Sequence, residues 1–233
     1  MLNAIRATLF YFIYSLSLVI YASLCILVGW MLPLHSRYPF FLMWNRFAVW
    51  WLKISCGVSY RITGAENIPD KPYVLLCNHQ SPWETLFLSY RFQPACAILK
   101  KELLKIPFFG WGLALLKPIA IDRSKRRAAR EQLLTQGKDR INRGFSILIF
   151  PEGTRVDPGV EKKYSTGGAE LAIATGVPVL PVAHNAGKFW PARKLAKKPG
   201  CIDMIIGKPV SSVGREARGL TEEFRQWVVQ QNL

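Results

Sequence analysis

Val74-Leu75-Leu76-Cys77-Asn78-His79-Gln80-Ser81-Pro82-Trp83-Glu84-Thr85 passes from an apolar run to a helix start within twelve residues. Val74 to Cys77 has the short, uninterrupted apolar character of a strand buried on both faces. Ser81-Pro82 is an N-cap followed by proline at the first helical position, where a missing N–H leaves no bond unmade. The segment therefore predicts a strand turning into a helix, with His79 in the turn, where a ring nitrogen can face a cleft. Glu84 lies five residues further on, and on one regular helix that spacing sets two side chains about 140° apart. The pair meets only if His79 is outside the helix. Glu84 would then hold one ring nitrogen and leave the other unprotonated, able to take a proton from a hydroxyl at neutral pH. Ser81-Pro82-Trp83-Glu84 also fits the S-x-x-E capping box, in which the glutamate bonds back to the N-cap amide and has no chemical task. The local sequence leaves both readings open.

Outward from this unit the chain alternates. Strands are predicted at 73–77, 95–99, 118–121, 146–150, 179–182 and 202–206, and helices at 82–92, 126–142, 168–175 and 221–230. Strands interleaved with helices predict an α/β domain over residues 58–233, a layered, largely parallel sheet with flanking helices. Sites in such sheets gather at the carboxyl ends of strands. No internal repeat, low-complexity tract or linker divides the segment.

Residues 1–57 differ in kind. Between Arg6 and Arg37 there is no Asp, Glu, Lys or Arg, and Leu9 to Leu34 is almost wholly aliphatic or aromatic. A bilayer needs about 20 such residues, so a transmembrane helix is predicted over about 8–34. The run outlasts the apolar region of a cleaved signal peptide and ends in no small-x-small cleavage pattern. Phe40 to Gly57 mixes Trp44, Trp50 and Trp51 with Arg46 and Lys53, and predicts an interfacial or re-entrant helix over about 40–57. Only Arg6 precedes the apolar run, whereas Arg37, Arg46, Lys53 and Arg61 follow it. The positive-inside rule accordingly puts the α/β domain on the cytoplasmic face of the membrane.

The whole chain has 233 residues, 31 of them basic and 15 acidic, for a net charge of +16, with a mean hydropathy of +0.13. Nucleic-acid binders share the charge but seldom the apolar content, whereas a protein working on anionic lipid headgroups has use for both. Nothing in the chain resembles a recognised nucleic-acid module. Five cysteines, at 25, 56, 77, 96 and 201, are odd in number and scattered, with no C-x-x-C. They predict neither a disulfide framework nor a zinc site, and they fit a reducing compartment. Histidines occur only at 35, 79 and 184, which leaves few rivals to His79 as a general base. His184 reads as structural.

Three predicted strand ends deliver polar groups to one edge: His79; Asp122-Arg123; and Pro151-Glu152-Gly153-Thr154-Arg155. Arginine supplies planar paired donors that match a phosphate, and Gly153 lets the backbone approach a ligand closely. The basic stretch Arg123 to Arg127, with Arg130, and the loop Trp190 to Gly200, with Lys194, Lys197 and Lys198, are either solvated surface or contacts for anionic lipid or an acidic donor.

Asn78-His79 with Glu84, Ile119-Ala120-Ile121-Asp122-Arg123, Phe150-Pro151-Glu152-Gly153-Thr154-Arg155 and Val177-Pro178-Val179-Leu180-Pro181-Val182 resemble, in order, the four blocks of the glycerolipid acyltransferases, and most nearly the 1-acylglycerol-3-phosphate acyltransferases. The blocks run from 78 to 182, and Phe-Pro-Glu-Gly-Thr-Arg is the most specific. Lys100-Lys101-Glu102-Leu103 and Pro107-Phe108-Phe109-Gly110-Trp111 resemble the family as well. The resemblance implies His79 as general base, oriented by Glu84 where the family usually has aspartate. It also implies that Arg123, Lys100 and the Glu152, Gly153, Thr154, Arg155 segment bind the acyl acceptor, with the arginines on its phosphate. At Ser165 many relatives have lysine; Ser165 and Thr166 stand before a predicted helix start, where they can cap it or bind an anion.

No G-x-S-x-G is present and no cysteine is close to His79 in sequence, so no acyl-enzyme is signalled. The expectation, on that resemblance, is direct transfer from an acyl thioester, carried by coenzyme A or acyl-carrier protein, to the free hydroxyl of 1-acyl-sn-glycerol-3-phosphate, a membrane lysophospholipid, giving phosphatidate. Backbone amides near Gly153 are candidates for oxyanion donors. No cofactor and no metal cluster are expected. The rival expectations are the same chemistry on another lysolipid such as a lyso-ornithine lipid, a thioesterase, and a non-catalytic basic membrane adaptor.

Overall fold

A computed structural model describes residues 2–122 and 125–233, the side chains at 2, 3 and 126 excepted. Seven strands form one sheet: β1 (Val58–Thr63), β2 (Val74–Cys77), β3 (Ala95–Lys100), β4 (Ile119–Ile121), β5 (Ser146–Ile149), β6 (Val179–His184) and β7 (Gly200–Ile206). Their order across the sheet is β1-β7-β6-β2-β5-β3-β4, and every neighbouring pair is parallel except β6 with β7. The expected α/β layering with a largely parallel sheet is what the chain adopts.

Side-chain alternation sorts the layers. Leu75, Cys77, Leu148, Leu180 and Val182 point to one face, where they meet Trp83, Phe87 and Leu88 of α3 (Pro82–Arg91). Val74, Leu76, Ile147, Ile149 and Val179 point to the other, against α5 (Arg126–Asn142), α6 (Gly167–Thr175) and α7 (Ala217–Gln230). The central strands β2, β5 and β6 are buried along their whole length, which is why their sequences are continuous apolar runs rather than alternating ones.

Two elements were not expected. β1 is an edge strand whose Val58, Tyr60 and Ile62 alternate with Ser59, Arg61 and Thr63, and it pairs with β7 across some 140 residues of chain. The short α4 (Phe109–Ala114) follows a 3-10 turn at Lys101–Lys105.

The N-terminal region is a helical hairpin, α1 (Leu2–Gly29) and α2 (Leu34–Cys56), with boundaries earlier than 8–34 and 40–57. Helical bonding extends back through the polar Asn3-to-Arg6 start, which apolar counting leaves out, and it stops at Gly29, with Pro33, which has no N–H to give, standing as the N-cap of α2. The arms are antiparallel: Trp51 Nε1 donates to Phe10 O, Trp44 Nε1 to Ser17 Oγ, and the Tyr21 hydroxyl to Phe40 O. Of the three tryptophans assigned to a headgroup boundary, only Trp50 faces outward; Trp44 is buried and Trp51 half-buried. Trp44, Ala48, Val49 and Leu52 pack into the core on the α3 face, each large side chain contributing roughly 1.5–3 kcal/mol of burial. α2 ends at Gly57, whose φ of +68° and N–H bond to Lys53 O form a left-handed cap.

Candidate active site

Strand β2 delivers Asn78 and His79 at its carboxyl end, and the turn is fixed by a clip to the end of β6. Asn78 Nδ2 donates to His184 O (2.9 Å), the His184 N–H donates to Asn78 Oδ1 (3.0 Å), and His184 Nε2 lies 2.9 Å from Asn78 O. The Ala186 amide donates to His184 Nδ1 (3.1 Å), so Nε2 carries the ring proton. Burial holds the His184 pKa below its ordinary value.

His79 precedes α3, as the catalytic reading requires, and its Nδ1 is 2.8 Å from Glu84 Oε1. The same oxygen accepts from the amides of Gln80 (2.9 Å) and Ser81 (2.8 Å), while Ser81 Oγ accepts from the Trp83 amide (3.1 Å). The capping box and the histidine contact thus coexist on one carboxylate. Burial works to raise the Glu84 pKa, but the His184 ring, the His79 contact and the Ser81 amide outweigh it and hold the group below its ordinary value. An ionised Glu84 is acceptor-only, so His79 Nδ1 carries the proton and Nε2 keeps its lone pair. The imidazole stacks on Phe150, with ring centroids 4.1 Å apart and planes 16° apart, and stays 14% exposed. Glu84 Oε2 is buried without a hydrogen-bond partner, and His184 Nε2 lies 3.8 Å away.

From the end of β5 the Phe150-to-Arg155 block returns to the same turn. His79 N donates to Glu152 Oε1 (3.2 Å), and the Val156 amide donates to His79 O (2.8 Å). Burial pushes the Glu152 carboxyl up to about 7, and its Oε2 has no hydrogen-bond partner. Gly153 has φ +71°, a conformation that a side chain would strain, and open space stands where a Cβ would be. Its amide donates to Phe150 O (3.0 Å), closing the turn. Thr154 is exposed; Arg155 is half-buried, with an Nε that has no hydrogen-bond partner.

Lys100 ends β3, two strands from β2, with Nζ 3.9 Å from Glu102 Oε2 and half its side chain exposed. Arg123 lies outside the described residues. Ser165 Oγ accepts from the Gly167 amide at 3.4 Å, and Thr166 Oγ1 donates to Glu170 Oε1 (2.7 Å), so both hydroxyls serve the start of α6. Beneath the 78–80 turn is a cleft of about 270 Å³ whose lining includes Asn78, Glu152, Lys162, Tyr164 and Arg225. Arg225, from α7, was not anticipated; a single basic residue on an amphipathic helix carries no sequence signal of its own. His184 was read as structural, and only its pairing with Asn78 ties it to the turn that bears His79.

The acyltransferase family profile matches residues 59–185. The chain is 48% identical to a 1-acyl-sn-glycerol-3-phosphate acyltransferase of Pseudomonas aeruginosa over 221 residues, 94% of this chain and 86% of that one. It is 33% identical to a 1-acyl-sn-glycerol-3-phosphate acyltransferase of Salmonella typhimurium over 88% of this chain and 82% of that one. Among solved structures, the 1-acyl-sn-glycerophosphate (LPA) acyltransferase PlsC of Thermotoga maritima superposes with a TM-score of 0.79 at 26% identity, covering 98% of this chain and 94% of that one.

Proposed function

Because the chain belongs to the acyltransferase family, and within it to the 1-acyl-sn-glycerol-3-phosphate acyltransferases, we propose that His79 is the general base of a direct acyl transfer onto 1-acyl-sn-glycerol-3-phosphate. His79 Nε2 takes the proton of the acceptor's free hydroxyl as that oxygen attacks the carbonyl carbon of an acyl thioester. The tetrahedral adduct collapses, the C–S bond breaks, and the imidazolium returns its proton to the departing thiolate. Phosphatidate and a free thiol leave. The donor thioester is that of coenzyme A or acyl-carrier protein.

The observation that carries this reading is the 2.8 Å contact of His79 Nδ1 with a buried, ionised Glu84, which fixes the tautomer and leaves Nε2 as the basic nitrogen. The Glu152, Gly153, Thr154, Arg155 segment, with Arg123 and Lys100, takes the acceptor, and the guanidinium groups meet its phosphate; an Arg155 Nε without a protein partner is in keeping with an anionic ligand. α1, with an apolar span at 4–29 of mean hydropathy 2.2, anchors the chain in a bacterial inner membrane with the α/β domain on the cytoplasmic face, and brings the site to its lipid substrate.

The test supplies vesicles holding lysophosphatidate with a labelled acyl thioester, and compares the wild type with His79→Ala. The expected outcome is labelled phosphatidate from the wild type and a fall of about 10²–10⁴-fold in the variant at unchanged folding and vesicle binding. Equal rates from the two proteins would remove His79 as the base. No product from either, with turnover of a lysolipid lacking the phosphomonoester, would change the acceptor.

A further inference from the structure

Between β3 and β4 the chain makes an excursion that the catalytic reading does not use. It leaves the sheet at Lys100, the carboxyl end of β3, on the edge where β2 and β5 deliver His79 and Glu152. Leu103, Ile106, Phe108 and Trp111 stand between 37% and 51% exposed there, with Lys101 and Lys105 exposed among them. Scattered apolar residues on a surface need no explanation, but four large ones within nine positions do.

The backbone of the excursion directs these side chains outward. Phe108 has φ +58° and ψ −64°, and the Phe109 amide donates to Pro107 O (2.7 Å), a γ-turn of the rare, strained hand. That turn aims the Phe108 ring outward, 5.6 Å from Trp111 by centroids. Gly110 allows the 3-10 turn to lie directly on α4, since a Cβ there would come within 2.4 Å of Leu103 O. The inner side of α4 packs on α1: Phe109, Gly112 and Leu113 share an apolar groove with Leu18, Ala22 and Cys25. The exposed Leu16, Ile20, Leu24 and Leu27 of α1 are two residues offset from Leu18, Ala22 and Cys25 and so face away from α4, which leaves the excursion as a surface of its own.

We infer that the Lys101-to-Trp111 excursion is a second membrane contact, separate from the helical hairpin. Ile106, Phe108 and Trp111 enter the boundary between headgroups and acyl chains of an anionic leaflet, and Lys101 and Lys105 lie on lipid phosphates. Together with α1 it sets the carboxyl edge of the sheet, and His79 with it, against the surface that presents the acceptor. An acidic protein would account for the lysines but not for a strained turn that exposes aromatic rings among them, whereas an anionic leaflet takes both the cations and the rings. The inference rests on the proposed acceptor only for the choice of assay.

Two measurements on the full chain test it. Ile106→Ser with Trp111→Ser is assayed on vesicles of phosphatidylcholine and phosphatidylglycerol, against long-chain lysophosphatidate in the bilayer and against a short-chain, water-soluble lysophosphatidate. The rate on the bilayer acceptor is expected to fall about tenfold or more while that on the soluble acceptor holds, the loss corresponding to part of the apolar area withdrawn from lipid. Separately, benzoylphenylalanine at position 108 is expected to photolabel vesicle lipid. The same probe at Val213, exposed near the Val210 bridge to the amino-terminal end of β6, is not. Equal loss on both acceptors, or no lipid adduct at 108, overturns the inference. So does a loss confined to a carrier-protein donor and absent with a coenzyme A thioester, which would make the surface a carrier-docking site. A wild type that forms no phosphatidate refutes the proposed acceptor, while the photolabel still reads the membrane contact.

Discussion

Glu84 Oε1 accepts from the His79 ring and from two backbone amides at once. In sequence the capping box and the oriented histidine compete for the glutamate, because spacing cannot reveal that the donors of a helix N-terminus and a ring in the preceding turn converge on one point. Glu152 raises the opposite difficulty: its motif is legible, its burial is not. Its carboxyl titrates near 7 in the folded chain against an ordinary 4.5. Between those values the folded state binds more protons than the unfolded one, so the stabilisation is complete below the lower value and is lost as pH rises through 7. The effect amounts to at most about 3 kcal/mol, or roughly 5–10 °C in Tm for a chain of this size. Thermal unfolding in detergent should therefore give the wild type a Tm that drops more from pH 5 to pH 8 than that of Glu152→Gln. Parallel Tm curves for the two proteins would mean that Glu152 stays ionised in the folded chain.

At the scale of elements, the central strands were legible because a strand buried on both faces must be apolar throughout. β1 escaped notice because its partner lies far along the chain, and α4 because a six-residue segment with two glycines owes its helix to the backbone it lies on. The loop after Trp190 holds a further surprise: of its lysines at 194, 197 and 198, the second is 2% exposed. Lys197 Nζ sits 3.6 Å from the Tyr11 ring, 4.5 Å from Phe10 and 5.0 Å from Trp190, and donates to Leu195 O. Burial pushes its pKa down to about 8, and the three ring faces partly offset the lost hydration. The cation thus pins the loop to the first turns of α1. Reversing its sign in Lys197→Glu places an anion against the same faces and should loosen that end alone. Hydrogen exchange is expected to speed up about tenfold or more at amides of residues 7–14, and not at 18–29, which α4 and α2 cover. Uniform exchange along the helix would show that the cage does not hold it.

For the whole molecule, an apolar run reads identically whether its faces meet lipid or protein, so the hairpin looked separable from the domain at residue 57. In the folded chain α1 is more than an appendage. Phe10 is fully buried against Trp190, Tyr14 packs on Trp44, and Cys25 joins the core cluster that contains Phe41 and Phe145. α2 is more deeply built in, its buried side chains reaching the α3 face of the sheet and, through Tyr38, Phe145 at the start of β5. Removing residues 1–29 would uncover Phe41, Trp44 and Trp190 together and deprive Lys197 of two of its three rings. Losses of that kind are each worth about 2–5 kcal/mol, against the 5–15 kcal/mol that holds a whole domain together. A chain starting at residue 30 should therefore fail to give a soluble, active domain, even with a water-soluble acceptor that makes membrane delivery irrelevant. Its Tm should fall by more than 10 °C in detergent, if a cooperative transition survives at all. A truncated protein that keeps the wild-type Tm and turns over the soluble acceptor at the wild-type rate would make α1 a membrane anchor and nothing else.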